Sequence, residues 1–148
     1  MAVHFFEEDI VYVLPQKLAV KKWIKAAIEA ENHKLKELNF IFCSDEYLLN
    51  INREYLDHDT YTDIVTFDHS EGKKDEGRIL GDIFISIDRC RENAAKFHAD
   101  EYDEVCRVII HGTLHLLGYK DKSREQKSLM RAKEDHYLST RHFNTDKS

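Results

Sequence analysis

Apolar residues between positions 17 and 29 recur at helical spacing. Val20, Trp23, Ile24, Ala27 and Ile28 share one face, and Lys17, Lys21, Lys25 and Glu29 the other. The pattern predicts an amphipathic helix, with Pro15 in its first turn, where a missing N–H costs nothing. Ahead of it, Val3–Phe6 suits a short strand. The period changes at Leu38–Cys43, where Leu38, Phe40 and Phe42 fall on one side of a strand. Ser44 is then an N-cap for a helix running through Tyr55. Thr62–Phe67 reads as a third strand. The polar, Gly-containing segment His69–Arg78 reads as a surface loop, and Ile79–Ile87, with Ile83, Ile85 and Ile87 on one side, as a fourth strand. The loop is short enough for strands three and four to form an antiparallel hairpin. Asp88 is expected to cap a helix over Arg89–Phe97, followed by helices over Asp100–Leu117 and Ser123–Ser139, with Thr140–Ser148 as a polar, frayed tail. The order β-α-β-α-β-β and then helices predicts an α+β (or α/β) fold: a small mixed four-stranded sheet with about five packed helices.

Length and charge narrow this picture. The chain has 148 residues without repeat or linker, which suits a single domain over 1–148 with a core of its own. The net charge of −6 makes a poor general nucleic-acid binder, so any basic face must be confined. Cys43, Cys90 and Cys106 are odd in number and never at Cys-x-x-Cys spacing, which argues for buried thiols rather than disulfides or a Cys-rich zinc finger. The start, MAVHFFEEDI, lacks the basic and apolar regions of a signal peptide. The longest apolar stretch, around Val108–Leu117, contains two His and is too short to span a bilayer. A cytoplasmic protein with no membrane contact is expected.

The chemistry concentrates in His111-Gly-Thr-Leu-His115-Leu-Leu-Gly118-Tyr-Lys-Asp121. Helical residues four apart differ by about 40° around the axis, so both imidazoles leave one face, close enough to share a metal. Val108, Ile109, Ile110, Leu114, Leu116 and Leu117 make the helix apolar on nearly every side, which predicts burial. Two His on a buried helix are equally well read as satisfied core residues on spacing alone. Gly118 can end the helix in a left-handed conformation, and the chain can then bring Asp121 back to the two His. The trailing Asp and the apolar surroundings favour a metal held by His111, His115 and Asp121 at the end of the helix. A fourth position is left for water, as in a catalytic zinc site. Cys106, about 140° around the helix from His111, should not join. Gly112 stands where His-Glu-x-x-His metalloproteases have their general base, which argues against a protease. The expected use of Gly112 is to let another backbone or a substrate approach.

The stretch resembles the YbeY family of metal-dependent endoribonucleases, or rRNA maturation factors, whose motif is His-Gly-x-Leu-His-Leu-x-Gly-Tyr-Asp-His. His111, Gly112, Leu114, His115, Leu116, Gly118 and Tyr119 match it in place. Asn52-Arg53-Glu54-Tyr55, Thr62-Asp63-Ile64-Val65-Thr66-Phe67 and Leu80-Gly81-Asp82-Ile83 are similar to three further family segments, so the resemblance covers most of residues 35–121. It implies a single-strand-specific, metal-dependent endoribonuclease of late ribosomal RNA 3′ end maturation and ribosome quality control. It also implies one zinc ion per chain, or another divalent metal, and ribosomal RNA and the small ribosomal subunit as partners. The chain departs from the family pattern in two places. The family's third ligand is usually His, where this chain has Asp121 preceded by Lys120. An oxygen ligand admits harder metals and acidifies a bound water less. The family also has an Arg, a candidate phosphate grip, where this chain has Leu56, so RNA contact must come from elsewhere.

Phosphodiester cleavage needs a nucleophile, charge stabilisation and a proton acceptor. Asp63 and Asp82 are candidates for proton transfer. Equally, Asp63 reads as holding a turn and Asp82 as bracing a ligand His, and neither is assigned. Arg124, Lys127 and Arg131 share a face of the last helix, and Lys120 and Lys122 flank Asp121. This is either the confined basic face or a solvated helix side near Glu125, Glu134 and Asp135. His4, His33, His58, His69, His98, His136 and His142 read as scattered surface or packing residues. The competing functions are a non-enzymatic, metal-stabilised ribosome-assembly factor and a metal-dependent hydrolase of another bond.

Overall fold

The computed structural model describes residues 2–56 and 62–143. His58 and the end of the expected frayed tail, from 144 on, lie outside the described residues, whereas its first part is packed: Phe143 meets Trp23 and Tyr102, and Arg141 pairs with Asp103. Four strands, β1 (Val3–Glu7), β2 (Lys34–Cys43), β3 (Ile64–Asp68) and β4 (Arg78–Ser86), form one sheet in the order β1-β2-β4-β3. β1 and β2, and β2 and β4, run parallel, while β3 pairs antiparallel with β4. The helices are α1 (Lys17–Ala30), α2 (Asp45–Tyr55), α3 (Ile87–Lys96), α4 (Glu101–Leu116) and α5 (Arg124–Ser139). The mixed α+β fold and the β3–β4 hairpin agree with the expectation. The loop before β4 contains a short 3-10 turn, Gly72–Asp75.

The parity of the strands decides the two faces. Phe40 pairs in register with Ile83 and Phe42 with Ile85. These four side chains meet Trp23, Ile24 and Ile28 of α1 and Val105, Ile109 and Leu114 of α4 in one core. The opposite face is covered at one end by α2, where Leu48 and Ile51 pack on Cys43 and Val65. α4 buries most of its residues between Tyr102 and Leu114, and its polar side chains Arg107 and His111 meet carboxylates of α5.

Two helix starts differ from the sequence reading. Pro15 precedes α1 rather than entering its first turn. The helix begins at Lys17, after Gln16 in a left-handed conformation (φ 56°). The Pro15 carbonyl accepts a hydrogen bond from the Tyr102 hydroxyl at 2.8 Å, so Pro15 serves as a tie to α4. The cap of α3 is Ser86, which accepts from the Arg89 amide, and not Asp88. β4 therefore stops at Ser86, and Ile87 is already helical. Asp88 instead accepts from the Asp45 amide at 2.9 Å.

Two glycines set how closely layers approach. A Cβ on Gly112 would lie 2.6 Å from Ile64 Cδ1 and 2.9 Å from Ile83 Cγ2, so its absence lets α4 settle on β3 and β4. The close neighbour anticipated for Gly112 is thus a pair of sheet side chains. A Cβ on Gly81 would lie 2.4 Å from the Phe67 carbonyl oxygen and 3.1 Å from Leu116 Cδ1. The first is an approach of β3 to β4 within the sheet, and the second seats the end of α4 on β4.

Candidate metal centre

His111 and His115 occupy the last turns of α4. Their Nε2 atoms face each other at 2.9 Å, with the rings nearly perpendicular. The helix then stops in a double hydrogen-bonded turn: Gly118, at φ 107°, donates to the His115 carbonyl, and Tyr119 donates to the Leu114 carbonyl, each at 3.0 Å. This is the glycine-dependent helix ending in which the next two amides satisfy the last carbonyls. Four residues later, Ser123 and Gln126 form a reciprocal capping box that starts α5. Asp121 is held between these two fixed ends. Its Oδ2 lies 3.3 Å from His111 Nε2 and 3.5 Å from His115 Nε2.

The hydrogen bonds determine what the three facing atoms are. His115 Nδ1 lies 3.0 Å from the Tyr119 carbonyl oxygen, which can only accept, so Nδ1 carries the proton. His111 Nδ1 lies 2.6 Å from the Glu134 carboxylate and donates to it for the same reason. In the neutral rings both Nε2 atoms then present lone pairs, aimed at each other and at a carboxylate. Three acceptors converge with no donor among them, and only a cation or an added proton relieves that arrangement. Tetrahedral zinc with bonds of about 2.0–2.2 Å separates its ligand atoms by about 3.3–3.6 Å, which the two His–Asp121 separations match and the 2.9 Å between the Nε2 atoms falls short of. Among the described residues, His111, His115 and Asp121 form the group of His, Cys, Asp or Glu able to hold a metal ion. The side chains are 19%, 24% and 39% exposed, so the centre is open on one side.

The surrounding charge favours a cation. Burial opposes charging of His111, but the Glu134 carboxylate, aided by Asp63 and Asp121, outweighs it and holds the pKa above the usual histidine value. Burial likewise opposes ionisation of Glu134, and His111 and Arg107 overcome it, so its pKa lies below the usual carboxylate range. Asp63 is pushed up, first by burial, with His111 partly offsetting the effect and Glu134 and Asp121 adding to it. A second network steadies the Asp121 loop. Tyr119 donates its hydroxyl to Glu31 at 2.6 Å, and Lys133 and Tyr137 reach the other oxygen of the same carboxylate.

The other candidate residues separate clearly. Asp63 immediately precedes β3, within the electrostatic reach of His111, and its carbonyl accepts from the Ser86 amide at 3.0 Å. Asp82 braces no ligand histidine. It lies on the opposite sheet face, where its carboxylate meets Asn39 and His69, each at 3.0 Å. Strand parity explains this, since Asp82 alternates with Gly81 and Ile83, which face α4. Cys106 is buried outside the metal group, as expected. Leu56 lines a cleft of about 260 Å³ beside His115, together with Asn52, Thr62, Ile64 and Thr66. Lys120, Lys122, Arg124, Lys127 and Arg131 are all exposed. Among the described residues their side chains form no ion pair, whereas Arg107 and Arg141 are paired with carboxylates.

Sequence reasoning missed Glu134, Glu31 and Asn52. Glu134 had one signal: it falls at helical spacing between Met130 and Tyr137, on the buried face of α5, where a solvated acid has no place. Asn52 is almost wholly buried and donates to the Thr62 hydroxyl at 3.0 Å, fastening α2 to the entry of β3. Glu31 carries no local signal.

The sequence profile of the family described as Endoribonuclease YbeY matches residues 7–142. A protein named Endoribonuclease YbeY from Cytophaga hutchinsonii is 54% identical over 141 residues, covering 95% of this chain and 96% of that one. Its namesake from Parabacteroides distasonis is 47% identical over 139 residues, with 94% and 95% covered. A Thermotoga maritima protein of known solution structure has the same fold, with a TM-score of 0.62 over 99% of both chains at 20% identity.

Proposed function

The chain belongs to the YbeY endoribonuclease family, and from that premise we propose that it is a single-strand-specific, metal-dependent endoribonuclease of ribosomal RNA 3′ end maturation and ribosome quality control. The convergence of three acceptor atoms beside an open cleft carries this reading. His111, His115 and Asp121 hold one divalent cation. Two nitrogens and one oxygen suit zinc, and the carboxylate also admits a harder metal. When bound, the cation supplies Lewis acidity toward a phosphodiester. The residues of the chain do the rest. Glu134 and the Tyr119 carbonyl orient the two rings, and the Glu31 network holds the loop that carries Asp121. Ile64, Thr66 and Leu56 shape the cleft where the strand lies against β3.

Leu56 offers nothing to a phosphate, so the grip comes from Lys120, Lys122, Arg124, Lys127 and Arg131. These cations continue from the metal loop along α5, and among the described residues none is ion-paired to a carboxylate, although Glu104 lies within electrostatic reach of Arg131. They are the confined basic face that a chain of net charge −6 requires to bind RNA. Among the described residues no helix is long and apolar enough to cross a membrane; the proposed site of action is the cytoplasm, on the small ribosomal subunit. The domain works as one unit over 1–148.

The test is cleavage of single-stranded and duplex RNA by purified protein, with and without metal, beside His115→Ala. Metal-dependent cutting of the single strand alone, lost in the variant, is expected. Equal cutting by both proteins would end the reading. Metal removal should leave the fold intact, because the core from Val3 to Tyr137 is continuous without the ligand group. Unfolding on metal removal, with no cleavage by the loaded protein, would favour a metal-stabilised assembly factor instead.

A further inference from the structure

α5 places a buried carboxylate behind one ligand and leaves the other ligand to the backbone. Glu134 is 5% exposed. Its Oε2 accepts from His111 Nδ1 at 2.6 Å and its Oε1 from Arg107 Nη1 at 2.8 Å. Arg107 sits one turn before His111 on α4, and its Nη2 donates to Asp135 at 2.8 Å. The helix pair does not need Glu134 for that ion pair, because Asp135 already joins Arg107 to α5. Its neighbours on the buried face of α5, Met130 and Tyr137, pack without a charge.

We propose that Glu134 is a positioning residue for the metal centre. It fixes His111 as the Nδ1–H tautomer, with the Nε2 lone pair aimed at His115 and Asp121, while Arg107 holds the carboxylate in place. This rests on the metal reading above. A neutral imidazole in water favours the proton on Nε2, the atom that must be bare to bind a cation. The hydrogen bond made by the other nitrogen decides which tautomer is present. His115 obtains its tautomer from the Tyr119 carbonyl, which no side-chain substitution removes. His111 obtains it from a side chain, so its half of the centre can be switched off separately. An ionised partner also strengthens the nitrogen as a donor to the metal, which a neutral acceptor does less well.

The experiment compares wild type, Glu134→Gln, Glu134→Leu and His115→Ala, stripped of metal and titrated with zinc against a chromophoric chelator. The ring nitrogens of His111 are followed by 15N NMR in the metal-free proteins. Glu134→Leu is expected to weaken zinc binding about 10–100-fold and to move the His111 proton toward Nε2. Glu134→Gln keeps an acceptor without the charge and should fall between. Should Glu134→Leu fold poorly, Glu134→Gln decides: zinc affinity equal to wild type would overturn the inference. A folded Glu134→Leu with wild-type affinity and an unmoved proton would overturn it too, and would reduce Glu134 to packing between α4 and α5. If wild type and His115→Ala take up zinc alike, the metal reading itself fails and this inference falls with it.

Discussion

Gly112→Ala separates the demands of the helix from those of the site. Alanine is the better helix former by about 1 kcal/mol, so on local grounds the variant should be more stable. The tertiary contacts oppose this. The new methyl would sit 2.6 Å from Ile64 Cδ1, 2.9 Å from Ile83 Cγ2 and 3.2 Å from Ile83 Cδ1, where carbon atoms pack at about 3.5–4.0 Å. Ile83 is wholly buried, and its Cγ2 is fixed at the branched Cβ, so it cannot yield without turning χ1. Ile64 can swing, but only at the cleft beside His115. Overpacking of this kind costs about 1–3 kcal/mol. The net loss of stability is therefore about 0–2 kcal/mol, equivalent to a fall in Tm of at most about 8 °C at about 2–4 °C per kcal/mol. Cleavage should fall further than stability. Either α4 moves off β3 with both ligand histidines, or Ile64 enters the cleft. Thermal melting gives the first quantity. Cleavage of a single-stranded RNA well below Tm gives the second. A variant that melts above wild type and cuts at the wild-type rate would refute the close approach of α4 to the sheet as a requirement of the site.

Three further outcomes are expected. Removing Arg124 and Lys127 should flatten the dependence of log K for single-stranded RNA on log salt by about 0.7 per cation; an unchanged slope would mean that RNA binds elsewhere. His111, with its pKa raised chiefly by Glu134 against the effect of burial, stabilises the metal-free protein fully below its unfolded pKa of about 6.5. That contribution is lost as pH rises through the folded value. Zinc competes with the same proton, so zinc affinity should climb over this window and then level; affinity that falls as pH rises would contradict the assignment. Burial pushes the thiols of Cys43 up to about 12 and of Cys106 up to about 11, and raises Cys90 as well. A thiol reagent should therefore find no reactive cysteine until the chain unfolds, and one fast equivalent in the native state would show that a thiol is open.

Much of the fold can be read from periodicity. Val20, Trp23, Ile24, Ala27 and Ile28 recur at helical spacing, and all five are buried on α1. Leu38, Phe40 and Phe42 alternate, and all three are buried on β2. Such patterns are local consequences of side-chain direction, which needs no partner to define it. Helix starts depend on competition between neighbouring candidates. Ser86 caps α3 although Asp88 is as good a capping residue, because pairing with β2 ends β4 there and Asp88 is engaged by the Asp45 amide.

Asp82 and Glu134 show the limit more sharply. Asp82 lies in a segment similar to one of the YbeY endoribonuclease family, yet strand parity turns it from His111 and His115 toward Asn39 and His69. Glu134 looks like one more charge on a polar helix, yet it touches His111, 23 residues away in sequence. The spacing of His111 and His115, the helix-ending Gly118 and the trailing Asp121 were sufficient by themselves to specify a candidate three-ligand set, since all four lie within eleven residues of one chain segment. Which atoms of those ligands face inward, and what cleft they face, was settled only when α5, α1 and the β3 edge closed around α4. Tautomer, burial and charge at a site are properties of the neighbours, and these neighbours come from distant parts of the chain.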